Sequence, residues 1–424
     1  MKRIGIALLM AVLALTAWAE GQNEDHPLTV TVVGVGVTRN ETSSYSQVYA
    51  AIEEKYPTVT IETYESDIAT GEDVTMAALM AAGDVPDVYA DFAGRAGKYV
   101  TERFALPLMI DESNWYADQL DPYRRDGKLL ALPEAAPGQA MAINTTVLDA
   151  IGYELPDTSR GWTIDAFLDM ARAVRDADMA EQDVYATGLF AANPSADYLW
   201  VNWFASFGVE SMFEADYTRS AADSDAFLQT WRFFDLLNNE GFIHPNSANW
   251  GAAPEFLQAI GFGRMVAYGT RMSWPDGMQK NFNADGEPYE WIAAPFPSVT
   301  GEPVMTAAGP HIVVGHKTDD PLRREVVTEL VERMAIANQA SSAEHGAIPS
   351  NRNIAVPDEL PKGEDLVNWL AKNVGILDVG FANPWYYETR SAGPEVLRPL
   401  LLGDITPEEA YRLYFEKITD IIDG

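Results

Sequence analysis

Flat rings and charged groups crowd together at a few points along this chain. Asn383-Pro-Trp-Tyr-Tyr-Glu-Thr-Arg390 is the densest aromatic run, and it lies in a turn-rich stretch before a helical pattern. It holds Trp385, Tyr386, Tyr387 and Arg390. Arg271 and Trp274 follow the short apolar run Met265 to Tyr268. Trp200 and Trp203 stand three apart in a segment of helical character, which puts both on one face. Trp250 is a further aromatic candidate. Rings of this kind stack on apolar C–H faces, and nearby carboxylates, amides and guanidinium groups take hydroxyls or an acid group. That is the chemistry of non-covalent capture of a polar solute.

Other chemistries lack their residues. His311 and His316 are five apart, wrong for one helix face, and the remaining histidines are scattered, so no metal is expected. Asn281-x-Asn283-x-Asp285-Gly286 opens like a calcium loop, but its twelfth position is Ile292 where a glutamate is needed, so it reads as a turn. There is no Gly-x-x-x-x-Gly-Lys loop and no Gly-x-Ser-x-Gly elbow. Gly34-x-Gly36 lacks the third glycine of a dinucleotide fingerprint and reads as backbone room beside a ligand. No cofactor is expected. With 63 acids, carboxylate pairs are inevitable, and no motif selects one as catalytic. The chain therefore reads as a binder and not an enzyme, a secreted glycosidase or lyase being the alternative.

The elements that must position these groups alternate. Leu28 to Val35 is a β-branched run suited to a buried strand, and Tyr45 to Tyr56 carries apolar residues at helical spacing up to Pro57. A strand at Val59 to Tyr64, a helix at Thr75 to Ala82 and a strand at Val88 to Ala90 follow. This alternation is the pattern of a parallel α/β sheet. Polar residues at the ends of these strands are candidates for a ligand: Arg39 and Asn40 after the first, Glu65 and Asp67 after the second, Asp91 after the third. The middle is mostly helical, with Thr163 to Asp176 and Asp223 to Asn239 amphipathic. Trp162 and Trp231 are expected in the core. Short strands return at Met265 to Tyr268, Trp291 to Ala294 and Ile312 to Val314. The last helix opens Thr406-Pro-Glu-Glu409, a cap, a proline and acids in the first turn.

Size and charge bound the rest. Lys2 and Arg3, the apolar run Ile4 to Leu15, and Ala17 and Ala19 before Glu20 have the order of a cleavable secretory signal. The apolar run is too short to span a membrane. Residues 1–19 are thus expected to be a signal peptide, and the remaining 405 exceed what one core accommodates, so two lobes are expected. The chain has no cysteine, which excludes disulfides and a lipid anchor of the cysteine-linked kind. A net charge of −34 repels nucleic acid and anionic membranes and otherwise reads as a solubility adaptation.

The chain resembles the extracellular solute-binding proteins of ATP-driven (ABC-type) sugar importers, the maltose-binding-protein-like family. The resemblance rests on Met80-Ala-Ala-Gly-Asp-Val-Pro-Asp-Val88, on Asp126-Gly-Lys-Leu-Leu-Ala-Leu-Pro133 with Met141-Ala-Ile-Asn144 and Gly152, and on Gly161-Trp-Thr163. Phe262-Gly-Arg-Met-Val-Ala-Tyr-Gly269 with Trp274, Ala294-Pro-Phe-Pro297, Ala308-Gly309, Gly346-Ala-Ile-Pro349 and Gly403-Asp-Ile-Thr-Pro-Glu-Glu-Ala410 follow in the same order. The chain departs from many relatives in lacking a lipid-bearing cysteine and in having Ile143 where the family often has tyrosine.

The resemblance implies an α/β, two-lobed periplasmic-binding-protein fold. Each lobe would be a mainly parallel sheet flanked by helices, with three hinge crossings near 133–140, 305–311 and 346–351. The lobes would be 20–135 with 309–348, and 136–308 with 349–424. A sugar or oligosaccharide would lie in the cleft, with a uronate, polyol phosphate or other polar solute as the alternative. Trp385, Tyr386 and Tyr387 match a family loop that stacks on sugar rings, and Gly309 and His311 flank a crossing. The partners implied are the carbohydrate and a membrane permease, the location is periplasmic, and the expected state is a monomer.

Overall fold

The computed structural model describes residues 27–41, 43–66, 74–135, 138–192, 197–214, 219–251, 253–304, 311–344, 347, 349–374 and 385–423. Two sheets organise them, one of five strands in the order β2-β1-β3-β10-β6 and one of three in the order β8-β7-β9.

The first lobe begins with β1 (Leu28–Gly34), whose Val30, Val32 and Val33 are fully buried, as a β-branched run in a two-faced sheet requires. Then come α1 (Ser46–Lys55), β2 (Val59–Glu65), α2 (Val74–Ala82), β3 (Val88–Phe92) and α3 (Ala93–Ala96). α1 buries Val48, Tyr49 and Ile52 and stops before Pro57. α4 (Ala117–Leu120), the small hairpin β4 (Arg124–Arg125) and β5 (Lys128–Leu129), and β6 (Ala131–Ala135) complete the outward path.

The chain then enters the second lobe. It runs β7 (Ala140–Asn144), α5 (Thr145–Ala150), α6 (Ile164–Asp176), α7 (Asp197–Trp200), α8 (Asn202–Ser206), α9 (Asp225–Asn239), α10 (Ala253–Gly261), β8 (Ala267–Thr270), α11 (Trp274–Phe282) and β9 (Trp291–Ala294). Thr163 caps α6 by accepting from the Ala166 amide at 3.1 Å, and Ser224 caps α9. β10 (His311–Gly315) and α12 (Pro321–Ala343) rejoin the first lobe, and α13 (Glu364–Asn373), α14 (Tyr386–Leu401) and α15 (Pro407–Asp423) belong to the second. At the start of α15, Thr406 and Glu409 bond each other's amides at 2.8 and 3.2 Å, the reciprocal cap read from the sequence.

Strand direction follows from the crossings. β1 pairs in parallel with β2 and β3, whereas β10 runs against β3 and β6. In the second sheet β7 runs against β8 and β9, and the flanking bridges Tyr185–Met265 and Thr187–Ile243 are parallel. Each sheet therefore has one reversed strand, and it is the one arriving from the other lobe. Home strands end at the interlobe edge, and an arriving strand must start there. A mainly parallel second sheet is expected from the sequence; its three hydrogen-bonded strands are antiparallel because the arriving strand β7 lies between the other two.

The return crossing also differs from expectation. Asn351 pairs with Trp115, Tyr116 donates to the Ser350 carbonyl at 3.0 Å, and Arg352 Nε donates to the Trp115 carbonyl at 3.0 Å. Residues 350–353 thus remain on the first lobe, and the chain leaves it later than the expected 346–351. The long-range pairing that decides this has no local sequence mark.

The Asn281–Gly286 segment is a turn only in part: Asn281 and Phe282 end α11, and the turn that follows has the Gly286 amide donating to the Asn283 carbonyl at 3.0 Å, leading from a helix and not from a strand. No described helix is long and apolar enough to cross a membrane. Gly34 does not make room for a ligand, as its motif suggests. A Cβ there would lie 1.8 Å from the Ala90 carbonyl oxygen, so the glycine lets β3 close against β1. Gly34→Ala is expected to lower stability by about 3 kcal/mol, read as a drop in the urea midpoint; an unchanged midpoint contradicts this packing role.

Candidate functional site

The interlobe edge gathers charged side chains that either sheet alone would leave apart. His311, the first residue of β10, sets its ring at a tilt against that of Phe92, 4.1 Å between centroids, at the end of β3. Arg271 lies one residue beyond the end of β8 in the other lobe, and its charge reaches His311. Burial, then Arg271 and Arg95, push the His311 imidazole down to about 3. It is neutral at any physiological pH.

Glu134, on β6, is fully buried. Its Oε1 accepts from the Tyr45 hydroxyl, whose oxygen accepts from Asn338 Nδ2 at 2.7 Å. Burial pushes the Glu134 carboxyl up to about 8. Asp91 is equally buried but paired: Arg95 reaches it at 2.8 Å and the Tyr89 hydroxyl at 2.8 Å. Burial still outweighs those contacts and raises Asp91 to about 6. From the second lobe, Glu364 at the start of α13 is raised to about 7 by burial, with Arg271 pulling the other way. At neutral pH a mostly protonated Glu134 and a neutral His311 imidazole stand among guanidinium groups, which gives the site several fixed hydrogen-bonding groups.

The candidate tryptophans divide sharply. Trp200, Trp203 and Trp250 are 1%, 2% and 4% exposed. Trp200 packs on Trp231 and on Gly393, Trp203 on Phe167 and Phe296, and Trp250 on His244 and Phe256. These three are core residues, because a ring pair spaced for one helix face also suits the inner face of a bundle. Trp162 and Trp231 are in the core as expected. Trp274 and Trp385 are half-buried. Trp274 opens α11 with the Arg271 guanidinium 5.8 Å from its ring, and Trp385 caps α14, its carbonyl accepting from the Thr389 amide at 2.9 Å. Arg390 stands in the second turn of α14, partly buried, and α14 packs on α3 and the turn Gly97–Tyr99 of the first lobe.

The first-lobe candidates are largely occupied by their own loop. Glu65 accepts from the amides of Gly36 and Thr38 at 2.5 and 3.2 Å and from the Thr38 hydroxyl at 2.7 Å. Arg39 pairs with Glu53 at 2.5 Å and covers the Tyr49 ring, and Asn40 bonds Thr38 and Ser46. Asp91 faces Arg95 inside the protein. Asp67 and Gly309 lie outside the described residues, as do the side chains of Tyr386 and Tyr387, which open α14. The structure thus brings together Arg271, Trp274 and His311. It adds Glu134, Arg95 and Glu364, which the sequence reading passed over. Glu134 carries a signal, being a lone acid in the apolar run Leu129 to Ala136; Arg95 and Glu364 sit in ordinary helix starts and carry none.

This architecture, two α/β lobes exchanging strands around a shared edge, is the periplasmic-binding-protein fold. Residues 38–332 match the family model described as bacterial extracellular solute-binding protein. The chain belongs to that family and is a non-catalytic solute-binding receptor of ABC transport. No curated protein sequence is significantly similar. Among solved structures, a chitin oligosaccharide binding protein is similar at 17% identity and a TM-score of 0.73, over 94% of this chain and 99% of that one. A maltose-bound protein of T. maritima is 16% identical, with a TM-score of 0.70 over 93% and 99%. A Listeria monocytogenes ABC substrate-binding protein in complex with cycloalternan is 16% identical, with a TM-score of 0.70 over 93% and 98%.

The raised pKa of Glu134 has a stability consequence. The native state keeps a proton that the unfolded chain releases, so this residue's contribution to stability falls as pH rises from about 4.5 to about 8. Glu134→Gln is expected to gain on the wild type between pH 5 and pH 8 in urea-denaturation midpoints. A difference between the two proteins that does not vary with pH contradicts the assignment.

Proposed function

We propose that this protein binds a sugar or oligosaccharide in the interlobe cleft and delivers it to an ABC permease by lobe closure. The observation that carries the reading is the sorting of the tryptophans. Of the five candidates only Trp274 and Trp385 keep part of their rings exposed, and each has an arginine nearby in sequence, Arg271 and Arg390. Half-buried rings beside fixed hydrogen-bonding groups suit a ligand with apolar faces and a polar rim. The chitin-oligosaccharide and maltose ligands named for the similar structures are of this chemistry.

In this reading the lobes are 20–135 with 309–348, carrying 349–353 along, and 136–308 with the rest of the chain. Trp274, Trp385 and Arg390 meet the ligand from the second lobe, and Arg271 and His311 line the floor. Closure excludes water, so each hydrogen bond to a ligand hydroxyl gains weight. Residues 1–19 act as an export signal and the protein works in the periplasm. The large excess of acids over bases keeps it in solution there.

A thermal-shift screen with mono- and oligosaccharides and uronates tests the reading. A ligand at 100 times its Kd stabilises by about 2.7 kcal/mol, and none of these solutes raising the melting temperature overturns the proposal. Trp385→Ala and Trp274→Ala are each expected to weaken the bound sugar at least about tenfold with the ligand-free melting temperature little changed. Titration calorimetry showing wild-type affinity in both variants removes the rings from the site.

A further inference from the structure

Glu134 and His311 each present a buried polar atom with nothing bonded to it. Glu134 Oε1 is taken by the Tyr45 hydroxyl, but Oε2 has no hydrogen-bond partner. It faces His311 Nδ1, which also has none, across 3.9 Å. A shift of about 1 Å joins them, and two buried atoms able to satisfy each other have every reason to make it. The pair spans two crossings, with Glu134 one residue from the end of β6 and His311 at the start of β10. Of the His311 side chain 18% remains exposed, whereas that of Glu134 is wholly buried. Nε2, unlike Nδ1, is not among the buried atoms that lack a partner.

We propose that Glu134 is a positioning residue whose shared proton with His311 Nδ1 decides whether Nε2 offers a ligand a hydrogen-bond donor or an acceptor. The inference rests on the capture reading for its consequence, but not for its geometry. With Glu134 protonated, Oε2–H donates to Nδ1, the imidazole's own proton sits on Nε2, and Nε2 is a donor. With Glu134 ionised, one proton has left the pair, Nδ1–H donates to Oε2, and Nε2 presents its lone pair. The imidazole is neutral in both states.

The surroundings keep this a carboxyl titration. Tyr45 and Tyr49 from α1, Asn338 and Gln339 from α12, Asp91 from β3 and Arg95 from α3 surround the pair, and Arg271 acts on it from the second lobe. Burial and, more weakly, Asp91 raise the Glu134 carboxyl, while the Tyr45 and Asn338 hydrogen bonds lower it. The balance stands at about 8, and His311 at about 3 takes no part. A ligand hydroxyl can donate or accept and so is held in both states. A group that only accepts, such as a carboxylate or an ether oxygen, is held at Nε2 only in the donor state, below the changeover.

Two-bond proton–nitrogen correlation spectra of protein labelled with 15N-histidine test this without any ligand, the His311 signals being assigned by their loss in His311→Ala. The expected result is the Nε2–H tautomer at pH 6 and the Nδ1–H tautomer at pH 9.5. In Glu134→Gln a single tautomer should persist at both values. Tyr45→Phe, which removes a donor from the carboxylate and leaves the pair intact, should move the changeover to higher pH. One unvarying tautomer in the wild type, or a changeover that survives in Glu134→Gln, overturns the proposal. Failure of every sugar in the thermal-shift screen would leave this tautomer result untouched, so the two readings fail separately.

Discussion

A strand that arrives from the neighbouring lobe has to start where the home strands finish. In this molecule that rule places β7 against β8 and β9, and β10 against β3 and β6, and it makes the shared edge the place where both sheets expose chain ends. Backbone groups at strand ends lack ladder partners, and loops there are free to carry polar side chains. The site therefore forms where the topology leaves unpaired ends, and the crossings that create it also let the two halves move.

The same constraint explains why so many ionisable groups are buried near that edge. β6 and β10 are neighbouring strands of the first sheet, so Glu134 and His311 enter an apolar environment packed by α1 and α12. Their charged forms are disfavoured there, and each settles into its neutral state over most of the pH range. Asp91 takes the other route and is held by Arg95 and Tyr89. Among the described residues the buried acids are Asp87, Asp91, Glu134 and Glu364.

Local signals made the elements legible. The helix caps at Thr163 and Thr406, the stop at Pro57 and the β-branched run of β1 all act within a few residues, so a reader of the sequence can find them. The site was legible only in part. Trp274 and Arg271 follow a strand end, which is a local cue. Trp200 and Trp203 show the same residue type at a spacing that serves a core face just as well, and nothing nearby reveals that Trp231 and Phe296 close over them. Glu65 stands at a strand end too, yet its carboxylate is spent on the Gly36 and Thr38 amides.

Composition, periodicity and motif order by themselves determined the class of molecule: α/β lobes, no thiol chemistry, no metal motif, and the collinear pieces of a binding-protein family. Those properties depend on residue type and on neighbours within a turn or two. The tertiary structure decided which aromatic rings stay open, where residues 350–353 belong, and that Glu134 and His311 face each other although 177 positions separate them in the chain. Burial and long-range pairing set those outcomes, and both are properties of the packed chain that no short stretch of it carries.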